Sequence, residues 1–169
     1  MKKKPLVLIV LSALFAALIM VVTAYVLRIP TGLNEGYIHL GDTMIYIAAS
    51  MLPLPYAMAS AAVGGALADI LSGSLLWAPF TAVIKALMVL PFTAKNDRLL
   101  CRRNVLATVI AGVIGIAGYF VAACLLYTPA SAVVEILPNL IQEAAGGVMY
   151  VLLALAMDRA KLKNRLQTL

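Results

Sequence analysis

The stretch Lys95-Asn-Asp-Arg-Leu-Leu-Cys-Arg-Arg103 holds four of the chain's 13 Lys and Arg residues and lies between two long apolar segments. Two further basic clusters lie at the ends of the chain, one at Lys2–Lys4 and one from Arg159 to Arg165. Cytoplasmic loops of membrane proteins collect Lys and Arg close to the ends of their spans. We therefore expect all three clusters on the cytoplasmic side of a bilayer, and this expectation fixes the topology.

The composition is that of an integral membrane protein. Of the 169 residues, 64% are hydrophobic and only 12% are charged, and the mean hydropathy is +1.03. A soluble core of this size cannot bury so much apolar surface. The net charge of +6 is explained by basic loops that contact anionic membrane lipid, so no nucleic-acid partner is expected. We predict an all-α, multi-pass membrane protein.

Counting the spans depends on one ambiguous segment. A spanning helix needs about 20 mostly apolar residues, and four segments meet this requirement, at about 6–27, 75–94, 104–127 and 135–157. The segment 38–71 is apolar but is broken by Leu52-Pro-Leu-Pro55, and proline interrupts helices. As a single span it would place the Lys95 cluster opposite the amino terminus. We therefore predict two short helices, 38–53 and 55–71, and one domain (1–169) of six transmembrane helices with both termini cytoplasmic.

Ionisable and amide side chains within the predicted spans concentrate in the outer half of the bundle. Such groups are costly in lipid and usually mark a cavity or a relay. The candidate substrate-binding residues on the helices are His39, Asp42, Trp77, Thr81, Lys85, Asn139, Gln142 and Glu143. On the second and fourth helices they follow at steps of three or four residues, and on the sixth helix Gln142 and Glu143 lie three and four residues after Asn139, so those on each helix share a face. Because Lys85 and Glu143 are expected at a similar depth, we predict that they approach each other.

These residues also have structural interpretations. His39 and Asp42 can cap the second helix at the water interface, and Trp77 can anchor in the aromatic belt of the membrane. A structural ion pair with Glu143 is the main alternative to ligand contact for Lys85. Asp69 is expected to accept backbone donors in the loop after the third helix rather than to contact a ligand.

The predicted first outer loop runs from Arg28 to Tyr37 and contains one proline and two glycines. Such a segment can close as a lid over a pocket, with Asn34, Glu35 and Tyr37 as its candidate substrate-binding residues. An ordinary connector has the same composition. Tyr127 or Trp77 is the candidate for stacking on a flat ring.

The first helix carries the small residues Ala13 and Ala17 four positions apart, a spacing that allows close contact between helices in lipid. No catalytic site, metal site or cofactor is predicted. The chain lacks HExxH and GxSxG patterns, and its one His offers little base chemistry. The alternative function is that of a stand-alone, proton-coupled secondary transporter of a small polar metabolite, although no internal repeat supports it.

Four motifs of this chain resemble those of one family, the substrate-binding S components of energy-coupling factor (ECF) transporters, which carry vitamins and related precursors in prokaryotes. The motifs are Gly36-Tyr-Ile-His-Leu-Gly-Asp42, Ala68-Asp-Ile-Leu-Ser-Gly73, Trp77-Ala-Pro-Phe-Thr-Ala-Val-Ile-Lys85 and Pro138-Asn-Leu-Ile-Gln142. They occur in order, and the resemblance covers essentially the whole chain. It looks closest to the branch assigned to pyridoxine and to hydroxymethylpyrimidine.

The resemblance implies a high-affinity vitamin-binding subunit of an ATP-driven uptake transporter in the prokaryotic cell membrane, without catalysis of its own. Its partners would be a transmembrane T component, on which Ala13 and Ala17 dock, and two cytoplasmic ATPase subunits. The pocket would lie in the outer half, under the first outer loop and among helices four to six. Pyridoxine or hydroxymethylpyrimidine is the expected ligand.

Overall fold

A computed structural model describes residues 5–26, 28–31 and 37–167 of the chain, apart from the side chains of residues 164, 166 and 167. The elements are α1 (Pro5–Tyr25), β1 (Ile29–Pro30), β2 (Tyr37–Ile38), α2 (Gly41–Met51), α3 (Leu54–Ser72), α4 (Ala78–Met88), α5 (Arg102–Leu126), α6 (Pro129–Arg159) and α7 (Leu162–Gln167). The six predicted helices are therefore present, and α7 is an addition that the sequence did not predict.

Four of the described helices, α1, α3, α5 and α6, are long and apolar enough to cross a membrane. α3 has 19 residues and is longer than predicted for the segment 55–71. α2 and α4 have 11 residues each, which gives a rise of only about 17 Å. Large side chains on the outer surface are apolar, for example Leu6 and Val109, which are 70% and 63% exposed. The chain is an all-α membrane protein, and the count of six spans stays a prediction.

Two helix boundaries differ from the prediction for local reasons. α6 begins at Pro129 instead of residue 135, because the Thr128 hydroxyl accepts a hydrogen bond from the Ser131 amide (3.2 Å) and caps the helix. Proline is tolerated in the first turn, so Pro129 favours this start. Pro138 therefore lies inside α6, not in its first turn as predicted. α4 ends at Met88 instead of residue 94, and the chain continues as turns.

Contacts along α1 show that α1 and α3 run in the same direction. Ser12 near the start of α1 is hydrogen-bonded to Ser60 near the start of α3 (2.9 Å). Arg28, just after α1, donates to the carbonyl oxygen of Ser72 at the end of α3 (3.3 Å). α2 must therefore return in the opposite direction before the chain turns at Pro53.

The remaining helices alternate in the same way. α5 and α6 are antiparallel, because Gly112 lies against Glu143 while Gly147 lies against Thr108. α2 and α6 are parallel: Gly146 contacts Asp42 near the start of α2, and the Tyr150 and Ser50 hydroxyls are hydrogen-bonded (2.8 Å) near its end.

These directions divide the bundle into two ends. The basic end holds the start of α1, the α2–α3 turn, the 94–101 loop and the end of α6, so it collects both described basic clusters. The hairpin end holds the β1–β2 hairpin, the α3–α4 turn and the α5–α6 turn. Lys2–Lys4 lie outside the described residues.

Lys163, at the basic end, differs from the expectation that the carboxy-terminal cluster contacts lipid. Its side chain is only 3% exposed. The Nζ donates to the carbonyl oxygens of Ser50 (2.8 Å), Ala94 (3.0 Å) and Asn96 (2.5 Å). Lys163 therefore joins α7 to the end of α2 and to the 94–101 loop.

Candidate ligand-binding site

A hollow of about 450 Å³, measured to its open side, lies near the hairpin end of the bundle. It is lined by side chains from the hairpin, from the start of α2 and from α3 to α6, namely Tyr37, His39, Asp69, Ser74, Trp77, Thr81, Tyr119, Glu135, Asn139 and Gln142. Ligand pockets are concave and combine apolar or aromatic walls with a few placed polar groups. We call this cavity the outer hollow.

The β1–β2 hairpin closes one side of the outer hollow. Ile29 pairs with Ile38 and Pro30 with Tyr37 in an antiparallel ladder. The Tyr37 hydroxyl donates to Oδ1 of Asp69 (2.8 Å), which holds the hairpin against the end of α3. Burial, and after it the negative charge of Asp69, raise the pKa of Tyr37 well above its usual value. Tyr37 is therefore a neutral hydroxyl donor.

Asp69 has a different environment from the one expected. Its side chain bonds Tyr37 and lines the outer hollow, whereas the backbone carbonyl oxygen accepts the turn hydrogen bond from the Ser74 amide (2.9 Å). Gly73 makes this turn possible because it adopts a left-handed conformation (φ 86°) that favours glycine. The turn brings Asp69 and Trp77 to the same cavity.

His39 joins the hairpin to α6. Its backbone amide donates to the side-chain oxygen of Gln142 (3.2 Å), and its Nδ1 accepts a hydrogen bond from the Gly41 amide (3.0 Å). Burial lowers the pKa of His39 to about 4, so the ring is neutral at pH 7. Gly41 is the first residue of α2, so the His39 side chain satisfies one amide at the start of the helix, although Leu40 is the residue in the N-cap position.

An ion pair lies directly beneath the outer hollow. Lys85 Nζ donates to Oδ1 of Asp42 (2.5 Å), and the two side chains are 2% and 0% exposed. Gln142 donates to the other Asp42 oxygen (2.8 Å), so both carboxylate oxygens are hydrogen-bonded. Lys85 and Glu143 lie close enough for their charges to interact, as predicted, but the ion pair of Lys85 is formed with Asp42 on α2.

Glu143 lies further towards the basic end. The Tyr46 hydroxyl donates to its Oε2, and Gly115 on α5 leaves the space that the other carboxyl oxygen occupies. Asp42, Lys85 and Glu143 thus lie below the outer hollow and do not line it.

Aromatic rings form the wall on the α4–α5 side. The Trp77 ring lies 5.9 Å from Tyr119 and 6.0 Å from Tyr127 between centroids, tilted in both cases. Tyr119 also donates to the Thr81 hydroxyl (3.3 Å). Trp77 is only 7% exposed, so it is not an aromatic-belt anchor. Tyr127 supports Trp77 from behind and does not line the cavity.

The structure brings together six of the predicted site residues at the outer hollow: Tyr37, His39, Trp77, Thr81, Asn139 and Gln142. Four lining residues were not among the candidates: Asp69, Ser74, Tyr119 and Glu135. Glu135 is the first residue of the predicted span 135–157 and shares the face of Asn139 four residues away, so this spacing could have identified it. Asn34 and Glu35 lie outside the described residues. Among those described, no group of three or more His, Cys, Asp or Glu residues is arranged to hold a metal ion.

Two comparisons with known proteins are informative. Residues 4–159 match the family described as "ECF-type riboflavin transporter, S component". A protein of Pyrococcus woesei described as "Uncharacterized protein in gap 3'region" is 35% identical over 139 residues, which cover 78% of this chain and 92% of that protein.

Proposed function

Since this chain belongs to the family of ECF-type riboflavin transporter S components, we propose that it captures one small heteroaromatic vitamin or precursor in the outer hollow. Members of this family are vitamin-binding subunits of transporters and not enzymes. The observation that carries the proposal is the outer hollow itself. Its polar groups converge from five segments of the bundle and are already held by hydrogen bonds to one another. Such pre-organisation favours high affinity, because little side-chain freedom is lost on binding.

The chemistry of the walls favours a ligand with one aromatic ring and several hydrogen-bond donors. Trp77 and Tyr119 offer ring faces for stacking. Asp69 and Glu135 contribute carboxylates, and Asn139 contributes an amide. Hydroxymethylpyrimidine, with an exocyclic amine and a hydroxymethyl group, and pyridoxine, with three hydroxyl groups, match this set. Both remain our favoured ligands.

Riboflavin is the ligand named in the description of the family, and it is the main competitor. Its three fused rings and ribityl chain require a longer cavity than a single ring does. In the outer hollow, Trp77 and Tyr119 present their ring faces from one wall, which supports a ligand with a single ring.

We further propose that uptake is driven by ATP through partner subunits, a transmembrane T component and two cytoplasmic ATPases, as the family implies. Ala13 and Ala17 support this, since both are exposed on the outer face of α1. The opposite face of α1 packs on α3 through Ser12 and Ala16. The AxxxA step is therefore available to a partner helix.

The protein contains a single tryptophan, and it lines the outer hollow. Titration of the purified protein with hydroxymethylpyrimidine, pyridoxine, thiamine and riboflavin, followed by Trp77 fluorescence, therefore reports directly on this site. We expect saturable quenching at submicromolar concentration by one single-ring ligand without ATP. Tight binding of riboflavin alone would refute the single-ring assignment, and no response to any of the four would refute vitamin binding in this cavity.

A stand-alone, proton-coupled transporter is the second candidate, and the cluster of Asp42, Lys85 and Glu143 beneath the outer hollow favours it. Proteoliposomes that contain only this chain discriminate between the two functions. We expect no uptake of the bound vitamin when a pH gradient is imposed. Gradient-driven uptake without partners would establish the alternative.

A further inference from the structure

A second cavity, distinct from the outer hollow, opens on the side of the bundle between α5 and α6. It encloses about 1,020 Å³ measured to its open side. Its walls run from Thr108 to Ile116 on α5 and from Leu140 to Leu152 on α6, and they are almost entirely apolar. We call it the α5–α6 groove.

Two glycines, Gly112 and Gly147, line the α5–α6 groove at points where α5 and α6 pack closely. A Cβ atom added at Gly147 would lie 3.6 Å from Thr108, and Gly112 lies against the methylene groups of Glu143. The rim consists of exposed valines such as Val109 (63% exposed) and Val148 (61% exposed). From Leu140 to Leu152 the groove extends about 18 Å along α6. The hydrocarbon layer of one leaflet is about 15 Å deep, so the groove matches an acyl chain in length.

Two arginines mark the end of the groove that points to the basic end. Arg102 precedes Val109 by seven residues on α5, and Arg159 follows Leu152 by seven residues on α6. Seven residues are about two turns, so each arginine lies on the groove face of its helix. Both are exposed, and neither forms a hydrogen bond or ion pair with another described residue.

The surroundings of these arginines favour an anion. α5 begins at Arg102 without a side-chain cap, so its first amide groups and the helix dipole add positive potential. Asp158, the nearest acidic residue in sequence to Arg159, already accepts hydrogen bonds from the Leu99 (2.8 Å) and Leu100 (2.9 Å) amides. Basic pockets between helices on the cytoplasmic side commonly bind anionic lipid headgroups.

We propose that the α5–α6 groove is a specific site for an anionic phospholipid, which lays one acyl chain along the groove and places its phosphate between Arg102 and Arg159. The apolar walls fit the chain, and the two cations fit the headgroup. A second copy of the protein would bring the same two cations to the contact and is disfavoured by repulsion. This proposal is independent of the ligand in the outer hollow.

The test is a competition between lipids on the delipidated protein, read by native mass spectrometry and by thermal stability. Phosphatidylglycerol should be retained in preference to phosphatidylcholine with the same chains. Each basic residue near the surface contributes about 1 kcal/mol to binding an anionic lipid, so R102Q/R159Q should lower the preference roughly 30-fold. Glycerol phosphate, which has no acyl chain, should not stabilise the protein.

Two further variants separate groove binding from general charge effects. Gly147→Leu fills the groove without a close backbone contact and should release the bound lipid, whereas Ala117→Leu adds the same bulk on exposed α5 surface outside the groove and should not. Arg98→Gln removes an exposed charge at the basic end outside the groove and is the control for the arginines. Equal retention of the two lipids, or an unchanged preference in R102Q/R159Q, would overturn the proposal. The proposal would also be overturned if the protein formed a stable dimer and Gly147→Leu dissociated it, because the groove would then bind a second copy of the protein.

Discussion

At the scale of single residues, the buried ion pair between Lys85 and Asp42 is the feature with the largest energetic consequence. Two charges removed from water are stable only if each has its partners, and here Gln142 supplies the remaining hydrogen bond to Asp42. Removing one partner leaves the other charge buried and uncompensated. The pair therefore holds Gln142 in place at the outer hollow, and breaking it is expected to destabilise the protein strongly.

We predict that Asp42→Asn and Lys85→Met each lower the free energy of unfolding by about 3–5 kcal/mol. The double variant should recover most of this loss, because no unpaired charge remains. Unfolding in mixed detergent and SDS measures all three variants. If the double variant is as unstable as the sum of the single ones, the two side chains do not act as a pair.

His39 gives the protein a defined response to pH, and it is the only histidine in the chain. Burial is the main cause of its lowered pKa; the nearby charges of Lys85 and Arg28 act in the same direction, and that of Asp42 opposes them. Its pKa falls from an ordinary value of 6.5 to about 4 in the folded protein. The unfolded chain therefore binds the proton more readily between these two values.

It follows that stability is lost as the pH falls. We predict that the free energy of unfolding decreases by roughly 3 kcal/mol between pH 6.5 and pH 4 through His39 alone. Protonation also removes the Nδ1 acceptor used by the Gly41 amide. His39→Asn offers an acceptor that does not titrate, so the difference in stability between the wild type and this variant should change with pH in that window. A constant difference would refute the assignment.

At this scale, residue types and spacing predicted many of the site residues. They did not predict which side chains would form ion pairs or hydrogen bonds with one another. Tyr37, His39, Trp77 and Gln142 were predicted as candidate site residues from their residue type and position, and all four line the outer hollow. The partner of Lys85 was not predictable from depth alone. Asp42 and Glu143 lie on different helices, and the choice between them depends on how those helices pack.

At the scale of elements, one face of α1 packs against α3 and another face is exposed. Ala16 and Ile19 pack against α3, where a Cβ atom on Gly64 would lie only 2.7 Å from the carbonyl oxygen of Ala16. Ala13 and Ala17 lie on the exposed face. Small residues on an exposed face of a membrane helix allow another helix to approach closely.

We predict that Ala13→Leu together with Ala17→Leu abolishes vitamin uptake by cells that express the partner subunits, while the dissociation constant measured by Trp77 fluorescence is unchanged. The new side chains block the partner helix and do not reach the outer hollow. Ala117→Leu, on the exposed face of α5, is the matched control and should leave uptake intact.

Ala16→Leu should give a different result. It adds bulk at the α1–α3 contact, so it should reduce both the stability of the protein and its affinity for the vitamin. If the Ala13 and Ala17 variant also loses ligand binding, these residues contribute to the fold of the isolated protein instead of to docking.

The helix boundaries show what the sequence could and could not predict at this scale. Apolar length identified four of the six predicted helices, because lipid-facing segments must be apolar along their full length. The proline break in 38–71 and the position of the basic clusters predicted the other two. The start of α6 was missed because Thr128 and Pro129 form a cap outside the most apolar run. α7 was missed because its formation depends on Lys163, which binds three carbonyl oxygens from distant segments.

At the scale of the whole molecule, the direction of each helix determines which loops lie at the same end of the bundle. The parity argument required 38–71 to cross twice, and α1, α2 and α3 do run up, down and up within the bundle. Both described basic clusters consequently lie at the basic end. The outer hollow lies at the hairpin end, towards the opposite side of the bundle. An orientation with the basic end in the cytoplasm opens the outer hollow to the outside, as uptake requires.

This orientation is tested by cysteine labelling in intact cells. The two native cysteines are first replaced by Ser, because Cys101 belongs to the basic end and Cys124 to the hairpin end. In that background, Ala130→Cys places one exposed thiol at the hairpin end, and Asp97→Cys places one in the exposed 94–101 loop. We predict that a membrane-impermeant maleimide labels the first variant in intact cells and the second only after the membrane is opened, because positively charged loops stay in the cytoplasm. Labelling of residue 97 in intact cells would show that the protein has the opposite orientation in the membrane. The outer hollow would then face the cytoplasm, and a role in capturing an external vitamin would no longer be physically possible.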